Sequence, residues 1–128
     1  MSEKPLLDYI EHIQKAATDA CSFVEGITKA EFLEDRRSQQ AVIMCLVIIG
    51  DASTKLMNSH AEFLTAHAGV PWQKMRGMHN RIAHGYFDID INIVWDTVQT
   101  ALPELLKQLP SIALDARDRD LGDDGMQR

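Results

Sequence analysis

The stretch from Arg76 to Asp90 gathers the side chains that could act on a phosphodiester. Successive residues turn by roughly 100° around a helix, so Arg76, Asn80 and His84 fall on one stripe. His79 lies about 140° from His84 and faces another direction. A helix C-terminus favours a charged imidazole, and nearby guanidinium groups suit a phosphate better than a carboxylic acid. The segment therefore predicts a phosphodiester site, although such residues also serve as caps and solvated charges.

Other catalytic and metal-binding patterns do not occur in the sequence. It has no Gly-rich phosphate loop, no His-Glu-x-x-His motif and no Gly-x-Ser-x-Gly elbow. The remaining histidines, His12, His60 and His67, lack the spacing of metal ligands. Cys21 and Cys45 fall in helical patterns without a Cys-x-x-Cys pair, which indicates buried free thiols. We therefore expect neither a metal nor a cofactor.

Composition limits the class of protein and its partners. With 128 residues the chain is long enough for one core, and no apolar run reaches the roughly 20 residues that span a bilayer. The first residues, Met1 to Pro5, mix acid and base instead of forming a secretion signal. The net charge of -6 argues against a broad basic surface for duplex DNA, so RNA contact must be local. These features predict a cytoplasmic protein without a membrane or DNA partner.

Two helices are predicted in the first half of the chain. The first has apolar residues at three- and four-residue steps and ends at Gly26, and a capping box of Thr28 and Glu31 opens a short helical connector. The second long helix runs from Ser38 to about Asn58, after a polar turn at residues 35–37. Its residues 42–49 are apolar on every side, which predicts the centre of a bundle, a dimer face, or both.

Two further helices are predicted in the second half. The third runs from Trp72 to about His84, and residues 85–90 form a loop after it. The fourth starts at Ile91, and Pro103 should kink it. The tail from Asp115 to Arg128 has little to bury and is expected to fray. The expected fold is an all-α, antiparallel bundle of four to five helices over residues 1–114, dimerising through its long helices, with a flexible charged tail over residues 115–128.

The motifs along most of the chain resemble the HepT-like ribonuclease toxins of the HEPN superfamily. The resemblance covers about residues 5 to 110 and rests on Gln39-Gln40-Ala41-Val42-Ile43, Ile48-Ile49-Gly50-Asp51-Ala52, Val70-Pro71-Trp72, residues 78–90, Val94-Trp95 and Leu102-Pro103. Members of that family are dimeric helical bundles with an Arg-Asn pair, four residues between Arg and His, then any residue and Tyr. Asn80, His84 and Tyr86 match this pattern.

The resemblance implies the toxin of a type VII-like toxin-antitoxin pair, acting as a metal-independent endoribonuclease. In the family, Arg and His from both subunits meet in the dimer cleft, where Arg holds the phosphate and His acts as general acid or base. The implied antitoxin is an MntA-like minimal nucleotidyltransferase that transfers AMP from ATP to the motif tyrosine, here Tyr86. Added phosphates would repel RNA and compete for the cations of the site. Without the resemblance, Tyr86 would be an ordinary packing residue with its hydroxyl at the surface.

One position departs from the family pattern, because His79 stands where the motif has Arg. An imidazole is shorter and cannot grip a phosphate in the same bidentate way. Within a cleft that includes Asn80, either Arg76 or Arg81 could replace it, or His79 and His84 could share the acid and base roles. The alternative function is a non-catalytic HEPN partner of a nucleotidyltransferase, and an interaction module with a vestigial site is a third reading.

Two features near the second long helix bear on the site. Asp51 interrupts an apolar helix, so we expect it to support the site through an ion pair with Arg76 or Arg81. Gly50 could allow a neighbouring helix to approach closely. Arg36 and Arg37 are expected to be solvated turn charges that could extend an RNA-binding groove.

Overall fold

The chain is helical in a computed structural model that describes the backbone of residues 5–126 and the side chains of residues 5–122, and no strand occurs in these residues. The α-helices are α1 Leu6–Phe23, α2 Lys29–Glu34, α3 Arg36–Ser59, α4 Ala61–Ala66, α5 Trp72–His84, α6 Ile91–Asp96 and α7 Leu102–Met126. A 3-10 turn at Tyr86–Asp88 follows α5, and a π turn at Thr97–Ala101 joins α6 to α7. The predicted all-α class is confirmed.

The bundle is built around α1 and α3. The first packs against α3 and α7, and α3 also packs against α5. One core joins their inner faces, with its most deeply buried large side chains at Ile10, Ile13, Phe32, Leu56 and Leu109. Because one face of α3 is buried in this core, the core sets which residues of α3 face α5.

The predicted end of the first helix and the predicted start of the short helix after it are confirmed. The first helix ends at Phe23, and Gly26 follows with a φ of +81°, in the left-handed region that favours glycine. The Thr28 hydroxyl accepts from the Glu31 amide at 3.1 Å, and the Glu31 carboxylate accepts from the Thr28 amide at 2.8 Å. This capping box starts α2 as the sequence predicted.

The polar turn predicted at residues 35–37 is wrong, because only Asp35 lies outside a helix. Its carboxylate accepts from the Ser38 amide at 3.1 Å and from the Ser38 hydroxyl at 2.6 Å, which caps α3. These two hydrogen bonds lower the pKa of Asp35. Arg36 and Arg37 are consequently exposed residues of the first turn of α3.

The third helix α3 is long and apolar enough to cross a membrane by length and composition alone. Half of its 18-residue apolar window is buried inside the fold, however, and core helices of soluble proteins pass the same test. The apolar residues predicted at 42–49 are therefore mostly core, but not on every side. Met44 and Ile48 are 58% and 41% exposed.

The structure has a π turn directly before Pro103, where the sequence predicted a kink. The Leu102 amide donates to the Thr97 carbonyl, a wider step than in an α-helix, directly before the proline that lacks a donor. The chain then continues as α7 without a stop at Pro110.

The predicted start of a frayed tail at Asp115 is wrong, because α7 continues to Met126. Ala116 is fully buried, and the Asp120 carboxylate accepts from the amides of Leu6 at 3.1 Å and Leu7 at 3.0 Å. An acidic residue of α7 thereby caps α1. Apolar burial and hydrogen bonds therefore both hold this part of the predicted tail in the helix. Residues 127 and 128 of the predicted tail lie outside the described residues.

Candidate functional site

The site is positioned by the contact between α3 and α5. Met57 near the end of α3 and Trp72 at the start of α5 line one cavity of about 480 Å³, so the two helices run antiparallel. The two helices approach closely at Gly50, where an added Cβ would clash with the Cβ of His79 and lie 3.0 Å from the Met75 carbonyl oxygen. The close helix approach suggested for Gly50 is confirmed.

This contact gives α5 two different flanks. A cavity of about 470 Å³ lies between α3, α5 and α7, and Lys74, Met78 and Arg81 line it from α5. The stripe of Arg76, Asn80 and His84 lies on the other flank, since helical spacing places it away from Lys74 and Met78. Asn80 and His84 are exposed and Arg76 is half-buried.

His79 lies between the flanks, against α3. It is half-buried, and its Nδ1 atom is buried with no hydrogen-bond partner in the described part of the chain. The residue that replaces the motif arginine therefore has one ring nitrogen buried inside the protein. Within one chain, the geometry brings Asn80 and His84 together and leaves His79 apart from them.

The end of α5 is closed by a short turn. The Gly85 amide donates to the Arg81 carbonyl at 2.8 Å, and the Asp88 amide donates to the Gly85 carbonyl at 2.9 Å. The loop predicted over residues 85–90 thus contains an ordered 3-10 turn. Tyr86 is 47% exposed, and its ring meets the ring of Phe87 edge to face at a centroid distance of 5.8 Å.

The predicted ion pair between Asp51 and Arg76 or Arg81 is wrong. Asp51 is exposed, and its carboxylate binds Lys55 Nζ at 3.1 Å, one turn along α3. A helical neighbour on the same face reaches the carboxylate without any contact from α5. Neither arginine makes an ion pair with another described residue, so both guanidinium groups are available to an anion.

The exposed apolar residues of α3 lie away from its contact with α5. Leu46 and Ile49 line the cavity on the α7 side of the α3–α5 pair. Met44 and Ile48 lie about 120° and 160° around α3 from Gly50, so their exposed side chains face solvent on the side of α3 away from α5. The apolar run in the sequence had signalled α3 as a packing surface but not which residues stay exposed.

The described residues contain no group of three or more His, Cys, Asp or Glu side chains that could hold a metal ion. Both cysteines are free thiols. Burial raises the pKa of Cys21, and burial together with the charge of Asp19 raises the pKa of Cys45 to about 11. The thiolate forms needed for nucleophilic chemistry are thus disfavoured.

The known proteins to which this chain is similar are described as ribonucleases. A protein-family model described as "HepT-like: Ribonuclease HepT-like" matches residues 13–112. A "Probable ribonuclease HepT" of Thermococcus cleftensis is 37% identical over 98 residues, covering 77% of this chain and 86% of the relative. A "Putative RNase" of Caldanaerobacter subterraneus is 35% identical over 104 residues, covering 81% and 90%. A "Putative RNase" of Methanocaldococcus jannaschii is 31% identical over 120 residues, covering 94% and 97%. No solved structure matches.

Proposed function

Because this chain belongs to the HepT-like ribonuclease family, we propose that it is an endoribonuclease with its reacting groups on the exposed flank of α5. The observation that carries the proposal is the stripe of Arg76, Asn80 and His84, with His84 as the last residue of the helix. An imidazole and a free guanidinium on one accessible surface are suited to a phosphodiester.

The reaction needs no group beyond these side chains, the RNA itself and water. The His84 imidazole takes the proton of the ribose 2′-hydroxyl, and the 2′-oxygen forms a bond to phosphorus as the bond to the 5′-oxygen breaks. Water gives a proton to the leaving 5′-oxygen. The guanidinium stabilises the negative charge that grows on the phosphoryl oxygens. This division of roles makes the proposed cleavage metal-independent.

A homodimer would complete the site. Arg76 and His84 are eight residues apart on one helix, about 12 Å, which is too far to hold one phosphate together. Two copies of α5 packed antiparallel about a two-fold axis near Asn80 would place each Arg76 opposite His84 of the partner subunit. The exposed side chains of Met44 and Ile48 would add apolar surface from α3 to such a dimer.

Toxin control by a cognate MntA-like nucleotidyltransferase in the cytoplasm is the second part of the proposal. The Tyr86 oxygen would attack the α-phosphorus of ATP and release pyrophosphate, leaving AMP on the ring. Its partial exposure, just past His84, supports access by such an enzyme. The added negative charge would lie beside the cations that RNA needs, which explains neutralisation by electrostatic competition.

A second candidate is a non-catalytic HEPN subunit that docks on a nucleotidyltransferase. The observation that favours it is His79, which occupies the place of the motif arginine and is packed against Gly50 within the subunit. In that position it offers no guanidinium to a phosphate. The two candidates differ in RNA cleavage alone.

Cleavage of total cellular RNA by the purified protein, with EDTA present, tests the choice. We expect fragments from the wild type, none from His84→Ala, and normal cleavage from Lys55→Ala, a change on an exposed surface pair. His79→Ala separates the roles, since loss of cleavage with an intact fold would give His79 a part in the dimer site. A wild type that leaves RNA intact would contradict the enzyme and favour the non-catalytic partner.

A further inference from the structure

Phe87 is 97% exposed, more than any other large hydrophobic residue in the described part of the chain. Full exposure of an aromatic ring gives up the free energy that burial of the ring would gain. Its neighbour in the chain, Tyr86, is only half as exposed. The ring of Phe87 is therefore presented to solvent by the turn that follows α5.

The turn holds this ring in a defined place. Hydrogen bonds from the Gly85 amide to Arg81 and from the Asp88 amide to Gly85 fix the backbone on either side of Phe87. The ring planes of Tyr86 and Phe87 lie at 82° to each other, and this edge-to-face contact helps to hold the Phe87 ring in place. Ile89 packs against the core and ties down the end of the turn. A supported ring stacks on a ligand at a lower entropic cost than a mobile one.

The ring is close to the proposed reacting group. Phe87 is the third residue after His84, so their Cα atoms are at most roughly 11 Å apart. RNA-binding proteins commonly recognise unpaired bases by stacking them on exposed aromatic rings. A base next to the phosphate held at His84 lies within reach of Phe87.

The surroundings favour a nucleic-acid base over a protein partner. Asp88 and Asp90 line a separate cavity of about 220 Å³ together with Arg81, and neither Tyr86 nor Phe87 lines it. The two acidic residues thus border a cavity that the two rings do not. A protein hot spot is usually ringed by further packed contacts, whereas Phe87 is 97% exposed and its ring contact among the described residues is with Tyr86.

We propose that Phe87 is a stacking residue that binds an unpaired base of the RNA beside the scissile phosphate. This inference rests on the proposed ribonuclease function and adds a substrate preference to it. Since a base within a duplex is already stacked on both faces, the residue favours single-stranded segments of RNA.

Binding is measured on the His84→Ala background, so that RNA is not consumed. Fluorescence anisotropy with a labelled single-stranded RNA should show that Phe87→Ala weakens binding about 5- to 100-fold, as expected for loss of one base stack. Phe87→Trp should retain binding. Phe23→Ala, which removes a 46% exposed ring from α1, serves as the matched control and should change nothing. Binding of a duplex of the same sequence should be insensitive to Phe87.

Cleavage kinetics in the otherwise wild-type chain add a second readout. Phe87→Ala should raise KM more than it lowers kcat, because stacking binds substrate and transition state alike. Equal single-strand binding by Phe87→Ala and its parent would overturn the stacking role while leaving a ribonuclease that depends on His84. If Phe87→Ala still binds RNA but no longer binds a co-produced nucleotidyltransferase, the stacking role is overturned and the ring is a protein contact instead. Absence of both RNA binding and wild-type cleavage would overturn the proposed function together with this inference.

Discussion

Gly50 of α3 and His79 of α5 are in such close contact that the structure leaves no room for a Cβ atom on residue 50. This contact sets the rotation of α5 about its axis. With His79 facing α3, helical spacing turns Asn80 and His84 outward and sends Arg81 toward the α7 side. One glycine therefore determines which side chains of α5 can meet a substrate.

Gly50→Ala should destabilise the fold by about 1–3 kcal/mol, because the added methyl group meets both a side chain and a carbonyl that cannot easily move. Urea unfolding followed by circular dichroism measures this change. Gly77→Ala is the matched control, since an added Cβ there has nothing within 4 Å. It should be neutral or stabilising by about 0.5–1 kcal/mol, as expected for a helical glycine. Equal effects of the two changes would contradict the role of the helix contact.

The sequence alone predicted the features that local chemistry decides. The apolar spacing of α1, its end near Gly26 and the capping box of Thr28 and Glu31 depend on residues within a few positions of one another. The extent of α5 up to His84 followed in the same way from Pro71 and Gly85. The stripe of Arg76, Asn80 and His84 on α5 followed from helical spacing alone, without knowledge of any tertiary contact.

The features that the sequence could not predict depend on distant residues. Asp120 caps α1 across more than a hundred residues of chain, which is why a charged tail proved to be a helix. Asp51 has a charged neighbour on its own face of α3, so it never reaches α5. The exposure of Phe87 depends on how the turn after α5 leaves the bundle, and no local pattern signals it.

A site shared between subunits predicts complementation between two inactive variants. Arg76→Ala and His84→Ala should each abolish cleavage alone. Mixed by unfolding and refolding, they should recover about a quarter of the wild-type rate, because half of the dimers are mixed and each mixed dimer has one intact site. RNA cleavage after co-refolding measures this recovery. No recovery, with mixed dimers shown to form, would mean that Arg76 and the partner's His84 do not act together.

The proposed dimer face predicts a change in assembly. Met44→Glu combined with Ile48→Lys should weaken the dimer at least about 100-fold, since each change replaces apolar surface with a charge that must be desolvated. Light scattering after gel filtration measures the mass. Leu114→Glu alters a residue of α7 that is 60% exposed and should leave assembly unchanged. A dimer that survives the double change would place the interface elsewhere.

Because Asp120 of α7 caps α1, a change at residue 120 should affect the stability of the first helix. Asp120→Ala should reduce stability by about 0.5–2 kcal/mol, because the amides of Leu6 and Leu7 lose their acceptor. Asp118→Ala changes an exposed carboxylate of α7 and is the control. Hydrogen exchange at the Leu6 and Leu7 amides should quicken only in Asp120→Ala. Unaltered exchange at these amides would show that the cap is not formed in solution.

The carboxylate of Asp115 joins α4 to α7 and should make stability depend on pH. It binds His67 Nε2 at 2.7 Å and accepts from Arg119 Nε at 3.1 Å, while Arg119 lies over the ring of Phe63. The hydrogen bond to His67, followed by that to Arg119, lowers the pKa of Asp115. A carboxyl group with a lowered pKa in the folded state stabilises the fold above its unfolded pKa, about 3.9, and loses this effect as the pH falls through the folded pKa.

Asp115→Asn should accordingly be less stable than the wild type at pH 7, and the difference should shrink as the pH falls below about 4. The side chain is 34% exposed, so solvent screening limits the expected loss to about 1 kcal/mol. Chemical unfolding at pH 7 and pH 3 measures it. Glu104→Gln, in a 4.0 Å surface pair with Lys107, should show little difference at either pH. A gap for Asp115→Asn that stays constant between the two pH values would exclude the ionised carboxylate as its source.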